Sequence, residues 1–228
     1  MSKGAVVMVT GAAGALGRAV CEMFLARGDM LVAVDLDAQA LQMLYGDNER
    51  VQTVATDLTR WDATDAALAR LPGVSVLCNI AGGFDMGPAV HETADALWQR
   101  MMALNVTTLI HACRAVVPGM IAAGGGAVVN VAAASASSGK ASMGAYCAAK
   151  DAVARLTESM ALEVREHGVR VNAVAPSIID TPANRGAMPD ADPTRWVSPR
   201  DLAAVIAFLA SDQACAVNGA VVPVVGLS

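Results

Sequence analysis

Apolar positions fall into short runs separated by longer amphipathic stretches. Ala5 to Val9, Met30 to Val34, Val51 to Ala55, Val74 to Cys78, Ala127 to Val131, Val169 to Ala175 and Ala220 to Val225 are brief, mostly apolar and rich in Val. Runs of this kind predict strands buried on both faces of a sheet. Between them the apolar residues recur at helical spacing. Helices are expected from the end of the first glycine-rich turn to about Arg27, over Ala38 to Tyr45, and over Trp61 to Leu71, where Pro72-Gly73 stops the pattern. A long helical stretch follows from about Thr93 to Ala122, interrupted near its end by Pro118 and Gly119, then Ala145 to Glu166 and Arg200 to Ser211. Phe84 to Ala89 and Ala132 to Gly144 read as loops. Pro176 to Pro199 holds five prolines and reads as a long irregular segment, the kind that serves as a lid. Seven strands alternating with six or seven helices, with no break in composition, predict one doubly wound α/β domain over residues 1–228. Its seven-stranded sheet would be parallel, with helices on both faces, and ligands would bind at the carboxyl ends of the strands.

Composition narrows the partners. The chain of 228 residues is 55% apolar but only 4% aromatic, which suits tight helix-on-sheet layers built from Ala, Val and Gly. A net charge of −5 without any basic stripe argues against nucleic acid. No apolar run reaches the ~18 residues of a membrane span. Lys3 ahead of Ala5 to Thr10 imitates a signal peptide, but the run is short and ends in glycines, so a cytoplasmic protein is expected. Five cysteines without a CxxC pair predict buried free thiols. The histidines, His91, His111 and His167, are far apart, and no metal site is expected.

The chemistry gathers at the expected carboxyl ends. The first strand runs into Thr10-Gly11-Ala12-Ala13-Gly14-Ala15-Leu16-Gly17 and then a helix. Strand, glycine turn and helix in that order let a backbone approach a pyrophosphate at the helix N-terminus. Asp35 ends the second strand, where a carboxylate accepts hydrogen bonds from the adenosine ribose and repels a 2′-phosphate. Leu36-Asp37-Ala38 follow with no arginine, so NAD(H) is preferred over NADP(H), although Arg18 adjoins the loop. Asp37, or Asp35 itself, is alternatively a helix cap. The fourth strand ends in Asn79-Ile80-Ala81-Gly82-Gly83, small residues that leave room for a ligand. Tyr146 and Lys150 stand one turn apart on one helix face, and an ammonium beside a phenol lowers its pKa toward neutral. The spacing alone is common on solvated helices. Its position at the crevice is what points to acid–base work.

Together these motifs resemble the short-chain dehydrogenase/reductase family, over nearly the whole chain from Val6 to Gly226. The resemblance implies a Rossmann domain and direct hydride transfer to or from a small carbonyl or alcohol. Gly11, Ala13, Gly14, Ala15, Leu16 and Gly17 would form the dinucleotide loop, with Ala15 where a glycine is usual. Asp35 and Leu36 would meet the adenosine, and Asp57 and Leu58 the adenine. Asn79, Ala81 and Gly82 resemble the family's NNAG stretch, with Cys78 in its first position. Pro176, Ile179 and Thr181 resemble its PGxxxT segment, with Ser177 for glycine. Asn105, Tyr146 and Lys150 fall on three of four catalytic positions, Tyr146 moving the proton, Lys150 also holding the nicotinamide ribose, and Asn105 holding a relay water. The fourth position, a serine, is Ala133 here. Ser135, two residues on, is the nearest replacement, with Ser137 and Ser138 beyond it. The missing serine, Ala15-Leu16-Gly17, and the segment Asp180 to Asp192 with Trp196 are similar to the quinonoid dihydropteridine reductase branch, which prefers NADH. Asn105 departs from that branch. Arg185 and Arg195 are candidates for a polar or anionic substrate. The family also pairs its long helices between subunits. A homo-oligomer is therefore expected; the wide apolar stripes of Met101, Met102, Leu104, Leu109 and Ile110 and of Val153, Leu156, Met160 and Leu162 fit either deep burial or a subunit interface. An ordinary ketone or 3-oxoacyl reductase, a catalytically weak NAD-binding sensor, and a lyase or epimerase on the same fold remain open.

Overall fold

The computed structural model describes residues 4–69, 71 and 73–228; Lys3 and Pro72, named above, lie outside them. Its strands are β1 (Val6–Thr10), β2 (Met30–Asp35), β3 (Val51–Ala55), β4 (Val76–Asn79), β5 (Gly126–Val131), β6 (Val169–Pro176) and β7 (Val221–Val224). They form one parallel sheet in the order β3-β2-β1-β4-β5-β6-β7. The direction of winding reverses between β1 and β4, which opens a crevice beyond their carboxyl ends.

Strand side chains alternate between two cores. Val7, Val9, Val76 and Cys78 face α1 (Ala15–Ala26), α2 (Ala38–Tyr45) and α8 (Pro199–Ala210), where Phe24, Leu41, Leu202 and Ile206 fill the layer. Met8, Val32, Leu77 and Val128 face α3 (Trp61–Leu68), α5 (Thr108–Ala122) and α6 (Gly144–Val164), meeting Leu109, Val116 and Val153. Both faces are covered, which is why the strands read as near-continuous apolar runs. Buried Ala203, Ala207 and Ala210 let α8 lie close against α1. A third, smaller cluster of Met101, Val106, Ala145 and Ala149 fastens α4 (Asp95–Met102) to the first turns of α6. That contact fixes the helix carrying Tyr146.

Several expectations need correction. The third helix stops at Leu68 rather than Leu71, with the Ala69 N–H bonded to the Asp65 carbonyl. The long stretch is divided by a π-helical segment, Ala103–Thr107, that the apolar pattern did not show. Pro118 does not interrupt it: α5 continues through to Ala122. Pro118 lies on the exposed side, where the carbonyl one turn earlier, left without a helical N–H donor, is not shut away from solvent. Taken as one 28-residue helix, Asp95–Ala122 is long and apolar enough to cross a membrane by length and composition, although Asn105, Thr107, Thr108, His111 and Arg114 interrupt its apolar residues. Half of its most apolar window is buried inside the protein. Of the two wide apolar stripes, Met101, Leu109 and Val153 are buried, Met102, Leu104, Leu156 and Met160 are half-buried, and Ile110 and Leu162 are exposed. The proline-rich segment is ordered by α7 (Pro182–Ala187), a 3-10 turn at Pro193–Arg195 and a parallel bridge between Ile179 and Val197.

Candidate active site

The glycine loop is tied down before any ligand arrives. Thr10, buried at the end of β1, accepts hydrogen bonds at Oγ1 from the Ile80 and Ala81 N–H groups, both at 3.0 Å. The loop after β1 is thereby locked to the end of β4, across the point where the winding reverses. Gly11 has φ +64°, and a Cβ there would lie 2.9 Å from the Ala81 nitrogen. At Gly17 a Cβ would overlap the Gly11 carbonyl oxygen. The loop therefore folds back on its own helix, a path open only to glycine at these two places. Helix α1 starts at Ala15 with no side-chain cap and no acid in its first turn. Gly14 is exposed, Ala13 and Ala15 are half-buried, and Leu16 is core. Uncapped N–H groups at a positive helix end fit an anionic pyrophosphate.

Asp35 is fixed by two backbone donors, the Ala13 N–H to Oδ2 at 2.9 Å and the Asp37 N–H to Oδ1 at 3.2 Å. Asp37, not Asp35, caps α2 by accepting from the Ala40 N–H at 2.9 Å. A carboxylate held in one orientation beside the loop fits a ribose diol, and its charge opposes a phosphate. Leu36 is exposed beside it. Asp57 accepts from the Thr59 N–H and hydroxyl, which hold its carboxyl below the usual range, while Leu58 is buried beneath. His111 Nδ1 lies 2.9 Å from the Leu58 carbonyl oxygen. Asn79 turns inward. Its Nδ2 donates to Asn130 Oδ1 at 2.8 Å, and Asn130 donates on to the Thr157 hydroxyl at 2.9 Å. This buried polar chain across β4, β5 and α6 was not foreseen. The pairing of Asn79 with Asn130 in the parallel register was its only trace.

Lys150 and Asn105 meet at Gly82, and Tyr146 stands one turn before Lys150 on α6. A Cβ on Gly82 would stand 2.8 Å from Asn105 Oδ1 and 3.3 Å from Lys150 Nζ, so the position admits nothing larger. Asn105 sits in the π segment, where its Nδ2 donates to the Gly83 and Met101 carbonyls at 3.0 Å each and its Oδ1 accepts from the Gly83 N–H at 3.1 Å. Lys150 is only 6% exposed and donates to the Val131 carbonyl at 2.8 Å. Burial without a carboxylate pulls its ammonium down to about 8. The expected lowering of the tyrosine pKa is absent in this arrangement. Burial, followed by the neighbouring Cys147, pushes the Tyr146 phenol up to about 12. Its hydroxyl makes no hydrogen bond to the described residues, and the edge of Phe84 meets its ring at 4.9 Å between centroids. Phe84 is itself half exposed.

The serine position is apolar, with Ala132 and Ala133 both buried at the end of β5. Ser135 lies in a 3-10 turn, Ala134–Ser138, where its carbonyl accepts from Cys147 Sγ at 3.4 Å and its hydroxyl bonds to no described residue. Ser137 donates to the Ala134 carbonyl, and Ser138 is exposed. In the lid, Pro176 is buried, Ile179 bridges to Val197, and Thr181 caps α7 by accepting from the Asn184 N–H at 3.2 Å. Arg185 is engaged by Asp180 through two bonds at 2.6 and 2.8 Å, and Arg195 by the Leu227 carbonyl at 2.8 Å. Both arginines considered for the substrate thus brace the lid.

Residues 5–192 match the family model described as short chain dehydrogenase. The chain is 36% identical to a cis-4-hydroxycyclohexanecarboxylate dehydrogenase of Sinomonas cyclohexanicum, over 97% of this chain and 95% of that protein. It is 32% identical to the L-xylulose reductase of Bos taurus, over 96% and 94%. Among solved structures, a 3-oxoacyl-[acyl-carrier protein] reductase from Brucella melitensis with bound NAD superimposes with a TM-score of 0.88 at 29% identity, covering 99% of this chain and 91% of that one.

Proposed function

The chain belongs to the short chain dehydrogenase family, and from that premise we propose that it is an NAD(H)-dependent oxidoreductase interconverting a small ring-bearing secondary alcohol and its ketone. The observation that carries this reading is the meeting of Lys150 and Asn105 at Gly82, with Tyr146 one turn before Lys150 on α6, beside the loop pinned by Asp35. Bound NAD(H) supplies the hydride exchange; the chain supplies position, charge and a proton. Gly11, Gly14, Gly17 and the uncapped start of α1 take the pyrophosphate. Asp35 and Leu36 take the adenosine ribose, and Asp57 and Leu58 border the adenine. Asn79, Ala81, Gly82, Pro176, Ile179 and Thr181 line the nicotinamide end.

At neutral pH the buried Tyr146 phenol is protonated and stands as donor to a carbonyl oxygen. With its pKa near 8, Lys150 is cationic there and serves as the donor to the nicotinamide ribose hydroxyls. Asn105 holds the backbone of Gly83 and the position of a relay water. The lid over residues 176–199 closes on the substrate and excludes water. Phe84, half exposed with its edge on Tyr146, offers an apolar face to a ring. The relative acting on a hydroxycyclohexanecarboxylate supports an alicyclic substrate. The same reading places the protein in the cytoplasm as a homo-oligomer.

A second reading, reduction of a quinonoid dihydropterin, is favoured by Ala133. A buried methyl group stands where a hydroxyl would polarise a ketone, and the pterin reaction needs only the tyrosine and lysine. Turnover with NAD(H) and NADP(H) on cyclic alcohols, cyclic ketones and quinonoid 6,7-dimethyl-dihydropterin tests both readings. The first predicts NAD-linked turnover of cyclic alcohols or ketones, raised roughly tenfold or more in Ala133→Ser. Pterin turnover unaffected by Ala133→Ser would replace it with the second, and a preference for NADP(H) would overturn the role given to Asp35.

A further inference from the structure

One peptide unit in the glycine loop is gripped at both ends. The Ala13 N–H donates to Asp35, as described, and the carbonyl of the same unit, on Ala12, accepts from the Tyr45 hydroxyl at 2.8 Å. Tyr45 lies 33 residues away at the end of α2 and is 7% exposed. Ala12 itself is fully buried, and its N–H donates to the Val34 carbonyl at 3.1 Å. With Tyr45 on its carbonyl and Asp35 on its N–H, the plane of the Ala12–Ala13 peptide is fixed, and the preceding unit is held through the Ala12 N–H. The Gly14 N–H turns back to the Gly11 carbonyl at 3.1 Å, so that plane sets the direction of the N–H groups that follow at the uncapped start of α1.

Tyr45 is an unusual way to satisfy a carbonyl. It is the last residue of an eight-residue helix whose first turn is capped by Asp37, and Asp37 is itself tied to Asp35. Asp35, α2 and the loop therefore form one closed circuit of hydrogen bonds. Burial beside Cys21 pushes the phenol well above its ordinary range, so it remains a neutral donor throughout the working pH. No step of the proposed reaction uses it.

We propose that Tyr45 is a positioning residue for the dinucleotide: by holding the Ala12 carbonyl it orients the loop N–H groups toward the pyrophosphate and sets cofactor affinity without touching the cofactor. The inference rests on the reading of the loop as a dinucleotide site.

Calorimetric titration of Tyr45→Phe with ADP and with NADH tests it. The ring and its packing stay, and one hydrogen bond goes. The expected result is a Kd for both ligands raised about fivefold, the ratio expected from one ordinary hydrogen bond, with kcat at saturating NADH within about twofold of wild type. Ile206→Val, in the same core layer but with no hydrogen bond to the loop from its side chain, controls for general loosening: it lowers thermal stability yet leaves both Kd values unchanged. Unaltered binding by a folded Tyr45→Phe protein would overturn the proposal. So would Ile206→Val weakening binding in proportion to its loss of stability. Should Tyr45→Phe fail to fold, hydrogen exchange on the intact protein decides. ADP must slow exchange at residues 42–48 together with the loop at 11–17, and protection confined to the loop would refute the coupling. Wild-type protein that binds neither ADP nor NADH would refute the dinucleotide reading itself, whereas tight wild-type binding that survives Tyr45→Phe refutes only the role of Tyr45.

Discussion

Lys150 shows how burial can serve chemistry at the expense of stability. Its ammonium has lost water and gained one backbone carbonyl, which is why its pKa falls to about 8. The folded state therefore holds fewer protons than the unfolded state between about 8 and the ordinary lysine value near ~10.4. Where the unfolded state binds more protons, stability rises with pH. The cost of the buried charge is thus complete below pH 8 and relieved above it. Lys150→Met is expected to melt higher than wild type at pH 7, with the advantage shrinking steadily toward pH 10, and to lose turnover. Thermal melts of the two proteins side by side cancel the opposite trend from Tyr146 and the buried thiols. An advantage independent of pH would show that the lysine is not buried as a charge. Asn105 entered the candidate site by family resemblance alone, but that Tyr146 and Lys150 stand one turn apart on one helix was legible from the sequence. Their protonation was not, since the burial that governs it comes from α4 and β5, far away in the chain.

At the scale of elements, the π segment is the feature that makes Asn105 useful. A π turn widens the helix by one residue and leaves backbone groups for a side chain to satisfy. Asn105 does so for Met101 and at the same time holds both backbone groups of Gly83. Asn105→Ala should therefore reduce stability by roughly 2–3 kcal/mol, more than an ordinary surface change, because buried partners are left unpaired. It should also reduce turnover, with a smaller effect on NADH binding. A denaturant titration showing no loss would mean that the π segment stands without it. Apolar periodicity found the helix over 95–122 but not its π segment, because inserting one residue shifts the phase without changing composition. Pro118 misled for the complementary reason, since a helix tolerates proline where its exposed side meets water. Most strand boundaries were legible within a residue or two, as both sheet faces are buried and the runs have sharp ends.

At the scale of the whole molecule, the crevice follows from the order of winding. The turn from β1 outward to β3 and back through β4 to β7 brings the ends of β1 and β4 together. Thr10 then rivets the glycine loop to Ile80 and Ala81. The sequence alone placed the glycine loop, Asn79, the loops after Val131 and Ala175 and the start of the Tyr146 helix at the carboxyl ends of strands, and the doubly wound class followed from the alternation of strands and helices. It did not reveal the cross-sheet ties, Tyr45 to Ala12, Asn79 to Asn130 or Asp35 to Ala13, because neither partner of such a tie marks the other. The central claim is that Tyr146 moves the proton in an NAD(H)-linked reaction. The most direct test is NADH oxidation and NADH binding measured on Tyr146→Phe beside wild type, with whichever substrate the wild type turns over. The account predicts kcat reduced by roughly 10²–10⁴ with NADH affinity unchanged. Turnover retained by the variant, with the same cofactor bound, would contradict it.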